Sequence, residues 1–159
     1  MINHGFTLEP SRPLTPGDAA VGILHSGDGR YLLQRRDAVT TIFYPDHWGF
    51  FGGALEPGET APDALRRELL EELAFGVDPD KAVRFGHITF GIEAAGIRAI
   101  CRSYFDVVID PASVSGFRLG EGAAMELVDG YTALHAMRLV PYDAFALWLH
   151  YYRGLLGTT

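Results

Sequence analysis

The chain has 159 residues and a formal net charge of −7, with 48% hydrophobic, 12% aromatic and 21% charged residues. That length suits one domain able to bury its own core, the apolar fraction excludes a disordered chain, and no apolar run approaches the ~18 residues of a membrane span. An acidic chain without a Lys/Arg run is also a poor nucleic-acid binder, because such binding rests on neutralising phosphates.

The first 18 residues, with Pro10, Pro13 and Pro16, read as an extended lead-in. They lack the basic patch, apolar core and cleavage site of a secretory signal, so a cytoplasmic location is expected. "AAVGILHS" (Ala19 to Ser26) and "YLLQRR" (Tyr31 to Arg36) are apolar runs separated by "GDGR", which predicts a two-strand hairpin with glycines in the turn. Asp37 to His47 shows no period and reads as a loop leading to "WGFF" (Trp48 to Phe51), expected as one short strand that ends at Gly52-Gly53. Thr60 then opens a helix as N-cap, with Asp63 as its capping-box partner and Pro62 in the first turn. Leu65, Leu69 and Leu73 give that helix an apolar stripe.

"VRFGHITF" (Val83 to Phe90) and "IRAICRSYFDVVI" (Ile97 to Ile109) predict two more strands, joined by a Gly-bounded loop at 91 to 96. Cys101 is the single cysteine, so it forms no internal disulfide, and its place in the alternation predicts a buried strand position. After a loop with Gly116, Gly120 and Gly122, "AMELVDG" reads as a short strand and "PYDAFALWLHYYRGL", from Pro141, as a terminal helix. Strands flanking a mid-chain helix, with a last helix at the end, predict an α+β sandwich with a mixed sheet between helices. No second domain is required.

Chemistry concentrates on the mid-chain helix. At about 100° per residue, Glu68, Glu71 and Glu72 fall within an arc of about 100°, beside the leucine stripe rather than opposite it. Like charges at that spacing destabilise a bare helix, and Arg66 and Arg67 offset the cost only in part. A divalent cation turns the repulsion into attraction. All candidate ligands are carboxylates, with Glu59 placed to approach the same face, which suits hard Mg²⁺ or Mn²⁺ and not Zn²⁺. Because Mg²⁺ shares its coordination with phosphates, the pattern points to a phosphate-bearing substrate. G-x-S-x-G, H-E-x-x-H and C-x-x-C are absent, the single lysine, Lys81, lies in no phosphate-loop motif, and the six histidines show no ligand spacing.

Gly53, Glu59 and then "RELLEELAF" resemble the Nudix box, GX5EX7REUXEEXGU, at Gly53, Glu59, Arg67, Glu68, Leu69, Glu71, Glu72 and Phe75. Ala74 replaces the box glycine, and Gly76 is expected to take over the left-handed helix end, shifting the terminus slightly. Phe51 stands where many members have proline. The resemblance implies a Nudix fold over one domain, 19–157, after the 1–18 lead-in. It also implies a metal-dependent hydrolase that cleaves the pyrophosphate linkage of a nucleoside diphosphate joined to another group.

On that resemblance Glu68, Glu71 and Glu72 are metal ligands, Glu59 and Arg67 brace them, and Gly53 lies at the metal. The general base is Glu71 or Glu121; Glu121 stands in a Gly-flanked loop like that of some relatives and is a further metal ligand candidate. Arg36 is favoured over Arg35 as the phosphate or base contact, since neighbouring strand residues face opposite ways. Trp48, Phe50, Phe43 and Tyr44 are candidates to stack on a base. The contrasting reading is a Nudix-fold module that binds a nucleotide ligand without cleaving it; such modules lose box carboxylates, and this box keeps them all. The aromatic stretch of Trp148, Tyr151 and Tyr152 makes a homodimer an expectation.

Overall fold

In the computed structural model, which describes residues 17–92 and 97–157, a mixed sheet is sandwiched between helices. Its strands are β1 (Ala19–His25), β2 (Arg30–Arg35), β3 (Trp48–Gly49), β4 (Phe51–Ala54), β5 (Ala82–Ile92), β6 (Ile97–Val108) and β7 (Ala124–Asp129), and its helices are α1 (Ala61–Leu73), α2 (Gly130–Ala136) and α3 (Pro141–Leu156). The sheet runs β3-β2-β1-β6-β5, with β4 also on β1 and β7 on β2. Among the described strands β1 and β6 pair in parallel and the other strand pairs are antiparallel, with one isolated parallel bridge from Trp48 to Leu139. The expected lead-in falls almost wholly outside the described residues; of the loop expected at 91 to 96, residues 91 and 92 end β5 and 93–96 lie outside the described residues.

β1 is central and buried on both faces, which explains its unbroken apolar run. Ala20 and Leu24 of β1 and Leu32 of β2 pack with Leu65, Leu69 and Leu73 of α1. Val21, Ile23, Tyr31 and Leu33 pack instead with Ala146 and Leu147 of α3. Gly22 lets α1 approach closely, since a Cβ there would sit 3.3 Å from Leu65 Cδ1. Gly27 (φ 77°) and Gly29 (φ 90°) take the left-handed conformations of the predicted hairpin turn.

Three sequence expectations are corrected, and one element appears that was not expected. "WGFF" is two strands, because the chain changes partner at Phe50: Trp48 and Gly49 pair with β2, whereas Phe51 to Ala54 pair with β1. At the break the Phe50 N–H donates to Asp143 Oδ2 (3.1 Å) and its carbonyl accepts from Gln34 Nε2 (3.3 Å). The end of α1 does not shift to Gly76. Ala74 itself is left-handed (φ 52°, ψ 32°), with its N–H on the Leu70 carbonyl (3.0 Å) and the Phe75 N–H on that of Leu69 (3.2 Å). Cys101 is only half-buried and lies outside both core clusters, where its Sγ is 2.8 Å from His87 Nε2. The short helix α2, capped by the Asp129 side chain on Thr132 N–H, was not expected.

Candidate active site

The turn between β4 and α1 places Glu59, and the second half of α1 places Glu68, Glu71 and Glu72. Thr60 caps α1 by accepting from Asp63 N–H (3.4 Å). Arg67 then lies under the loop that precedes the helix, and each of its five N–H donors has an acceptor within reach. Nε and Nη2 form a fork on Glu59 (3.0 Å each), Nη2 also reaches the Ala54 carbonyl (3.0 Å), and Nη1 reaches Glu68 Oε1 (2.8 Å) and Glu71 Oε2 (3.4 Å). Glu59 Oε2 also accepts from Glu56 N–H (2.9 Å). These contacts fix Glu59 and hold its carboxyl below the usual carboxylate range, the Arg67 hydrogen bonds being the main cause.

Glu68 lies directly against Gly53, where any Cβ would run into its carboxylate. Burial pushes the Glu68 carboxyl up, and the Arg67 hydrogen bond only partly counters it. Glu72 is 5% exposed and accepts from Gln34 Nε2 (3.1 Å) and the Gly52 N–H (2.8 Å). Burial pushes it up to about 7 against those two hydrogen bonds, and the charges of Glu68 and Glu121 push the same way. Gly52 must be glycine: its φ is 131°, and a Cβ would strike the Ala20 carbonyl oxygen.

Glu121 stands exposed in the segment before β7. Gly120 N–H donates to the Glu72 carbonyl (2.7 Å), Arg118 N–H to that of Leu73 (3.0 Å) and Ala123 N–H to that of Arg35 (2.8 Å). The segment thereby docks on the last turn of α1, and the Glu121 charge is felt by both Glu68 and Glu72. Glu71 stands at the rim, its side chain 60% exposed. The site is thus a group of oxygen donors whose buried members are held against ionisation, a condition that a hard divalent cation relieves and that fits Mg²⁺ or Mn²⁺.

The expected substrate residues divide. Arg35 is turned away, with Nε on Asp46 Oδ1 (2.7 Å). Arg36 donates Nε to the Phe43 carbonyl (2.9 Å), and its charge is felt by Tyr142 and Asp143. Phe50 is corrected: at 4% exposure, its ring edge-on to Tyr104 in the core, it presents no face to a base. Trp48 is half-buried and packs on the same core cluster. Tyr44, 37% exposed, meets the Tyr142 ring edge-on at 5.6 Å.

Sequence reading missed Gln34 and Asp143, which brace Phe50 from opposite sides. Gln34 carried a signal, a polar residue at an inward phase of "YLLQRR". Asp143 is held by Tyr104 Oη (3.1 Å) and kept above the usual carboxylate range by burial. Arg102, also missed, stacks over Tyr142 with its Cζ 3.9 Å from the ring centre.

A family model described as the NUDIX domain matches residues 15–123. Nucleoside triphosphatase NudI of Enterobacter sp. (strain 638) is 48% identical over 46 residues, 29% of this chain and 32% of that protein. Its counterpart in Escherichia fergusonii is 48% identical over 50 residues, 31% of this chain and 35% of that protein. The chain therefore spans about a third of the length of these relatives. Among solved structures, the E. coli dihydroneopterin triphosphate pyrophosphohydrolase superposes with TM-score 0.68 at 19% identity, covering 89% of this chain and 99% of that one. The MutT protein of Methanosarcina mazei Go1 superposes with TM-score 0.66 at 20% identity, covering 89% and 97%.

Proposed function

The chain belongs to the NUDIX domain family, and from that membership we propose that it is a Mg²⁺-dependent pyrophosphohydrolase acting on a nucleoside diphosphate joined to another group. Nucleoside triphosphates come first among the substrates, followed by nucleotide sugars. The observation that carries the reading is the pair of buried box carboxylates, Glu68 and Glu72, both held above the ordinary carboxylate range and both feeling the charge of Glu121, beside an Arg67 bound by Glu59, Glu68 and Glu71. The names of the matched triphosphatases support the substrate class.

Glu68, Glu71, Glu72 and Glu121 hold the cation, with Gly53 against them and Mn²⁺ as a substitute for Mg²⁺. When bound, the cation supplies charge neutralisation on the phosphate oxygens and a lower pKa for the attacking water. Arg67 and Glu59 keep Glu68 and Glu71 in register. Glu71, solvent-facing and held among the described residues by one 3.4 Å contact to Arg67, takes the proton of the water that attacks phosphorus, a role it shares as candidate with Glu121. Arg36, near Tyr44 and Tyr142, is the phosphate or base contact and supplies local positive charge to a chain of net −7. The retained box carboxylates speak against a binding module without turnover.

We assign the hydrolytic domain to 19–157 and its action to small molecules in the cytoplasm; among the described residues no helix is long and apolar enough to cross a membrane. The exposed Phe145 (46%), Trp148 (50%) and Leu156 (78%) of α3 support a homodimer, which light scattering on the purified protein tests. The reading itself is tested by screening nucleotides with Mg²⁺ and repeating the assay on Glu71→Gln and Glu121→Gln. The base variant loses ~10²–10⁴-fold in turnover at unchanged fold; full activity in both removes the base assignment.

A further inference from the structure

On the far side of the sheet from the glutamates, three elements bring nitrogen and oxygen donors to one point. His25 ends β1, Asp106 lies in β6 on the face that carries Tyr104, and His150 lies on α3. His25 Nε2 is 2.7 Å from Asp106 Oδ1 and His150 Nε2 is 3.2 Å from Asp106 Oδ2. Donor atoms of the three residues all lie within 4.8 Å of one another.

We propose that His25, Asp106 and His150 form a Zn²⁺ site, separate from the carboxylate site. Donors ~2.0–2.1 Å from a tetrahedral ion stand ~3.3 Å apart; the two His–Asp spacings lie close to that value, and the widest donor separation, within 4.8 Å, closes by up to about 1.5 Å to admit an ion. Two imidazoles and one carboxylate suit Zn²⁺, and Co²⁺ as its probe, whereas the all-oxygen set on α1 suits Mg²⁺. The imidazoles are enclosed, their side chains 13% and 12% exposed, while that of Asp106 is 35% exposed, which leaves an open side for a water as fourth ligand.

The surroundings also fit. The ring of Phe85 lies 5.0 Å from that of His150, and the Tyr31 ring meets it edge-on at 5.5 Å, an aromatic wall that limits water. Tyr31 Oη is 2.8 Å from His150 Nδ1. A hydroxyl can accept as well as donate, so it serves the tautomer with Nδ1–H that leaves Nε2 free for a metal. His25 Nδ1 accepts from the Gly27 N–H (3.1 Å), a contact that binding through Nε2 breaks. Gly27 sits in the exposed hairpin turn, where water replaces the lost partner. Bound Zn²⁺ ties the hairpin, β6 and α3 together, so it stabilises the fold by mass action.

The test uses the full chain, stripped with chelator, kept in excess Mg²⁺ and titrated with Co²⁺ and then Zn²⁺. Wild type is expected to show the visible d–d absorption of low-coordinate Co²⁺ at one equivalent, displaced by Zn²⁺, and a higher melting temperature with Zn²⁺. Asp106→Asn and His150→Gln are expected to remove the absorption, and Tyr31→Phe, which keeps every ligand and the buried ring, to weaken binding ~10–100-fold. Glu68→Gln leaves all of this unchanged. Absence of Co²⁺ absorption in wild type, absorption that survives Asp106→Asn or Tyr31→Phe at full affinity, or loss only on Glu68→Gln overturns the proposal.

Discussion

Glu72 shows how one side chain joins stability to function. Its carboxyl is pushed from the usual 4.5 to about 7, first by burial. The folded protein without metal therefore binds a proton there more tightly than the unfolded chain does, and stability falls as pH rises from about 4.5 to about 7. Glu68, raised in the same sense, adds to the loss, whereas the lowered Glu59 and Asp106 titrate below this window. Thermal melts in EDTA at about pH 5 and about pH 8 should show a loss of up to roughly 3 kcal/mol, largely removed in Glu72→Gln and reversed in wild type by Mg²⁺. A wild-type melting temperature that rises across the window would contradict the burial argument. The box glutamates were legible because their spacing is local in the sequence. Gln34 and Asp143 were far less so, since each gains its role from a partner brought near by folding, Asp143 from one 93 residues away.

The cap, the proline and the leucine stripe made α1 legible almost residue by residue. The left-handed Ala74 escaped, because nothing local distinguishes a strained alanine from a displaced terminus. An alanine in that conformation costs ~1–2 kcal/mol, so Ala74→Gly should stabilise by about 1 kcal/mol after the extra freedom of glycine in the unfolded chain is deducted. Denaturant midpoints check it, and an unchanged or lower midpoint contradicts the strain. The "WGFF" break was invisible for a different reason: strand partners are set by β1 and β2, not by the four residues themselves. The docked segment before β7 makes its own prediction. A Cβ at Gly120 would run into the Glu71 carbonyl, so Gly120→Ala should lift Glu121 away and lower Mg²⁺ affinity ~10–100-fold. Mn²⁺ titration followed by its paramagnetic signal measures this, and unaltered affinity would take Glu121 out of the metal site.

At the scale of the whole molecule, the sandwich and its mixed sheet followed from apolar runs of strand length around one amphipathic helix. The two faces do different work. The α1 face gathers hard oxygen donors, and the α3 face holds an aromatic and imidazole layer whose members lie far apart in sequence, His25 and Asp106 being 81 residues apart. That separation is why histidines without local ligand spacing still meet at one carboxylate. The account as a whole rests on the glutamates holding a cation for hydrolysis. The most direct measurement is turnover of nucleoside triphosphates against Mg²⁺ concentration in wild type and in Glu68→Gln, with melting curves in EDTA to confirm equal folding. Wild-type turnover should rise with Mg²⁺ and be absent in EDTA, and the variant should fall at least ~100-fold; equal turnover in the two proteins, or wild-type turnover indifferent to Mg²⁺, would contradict the account.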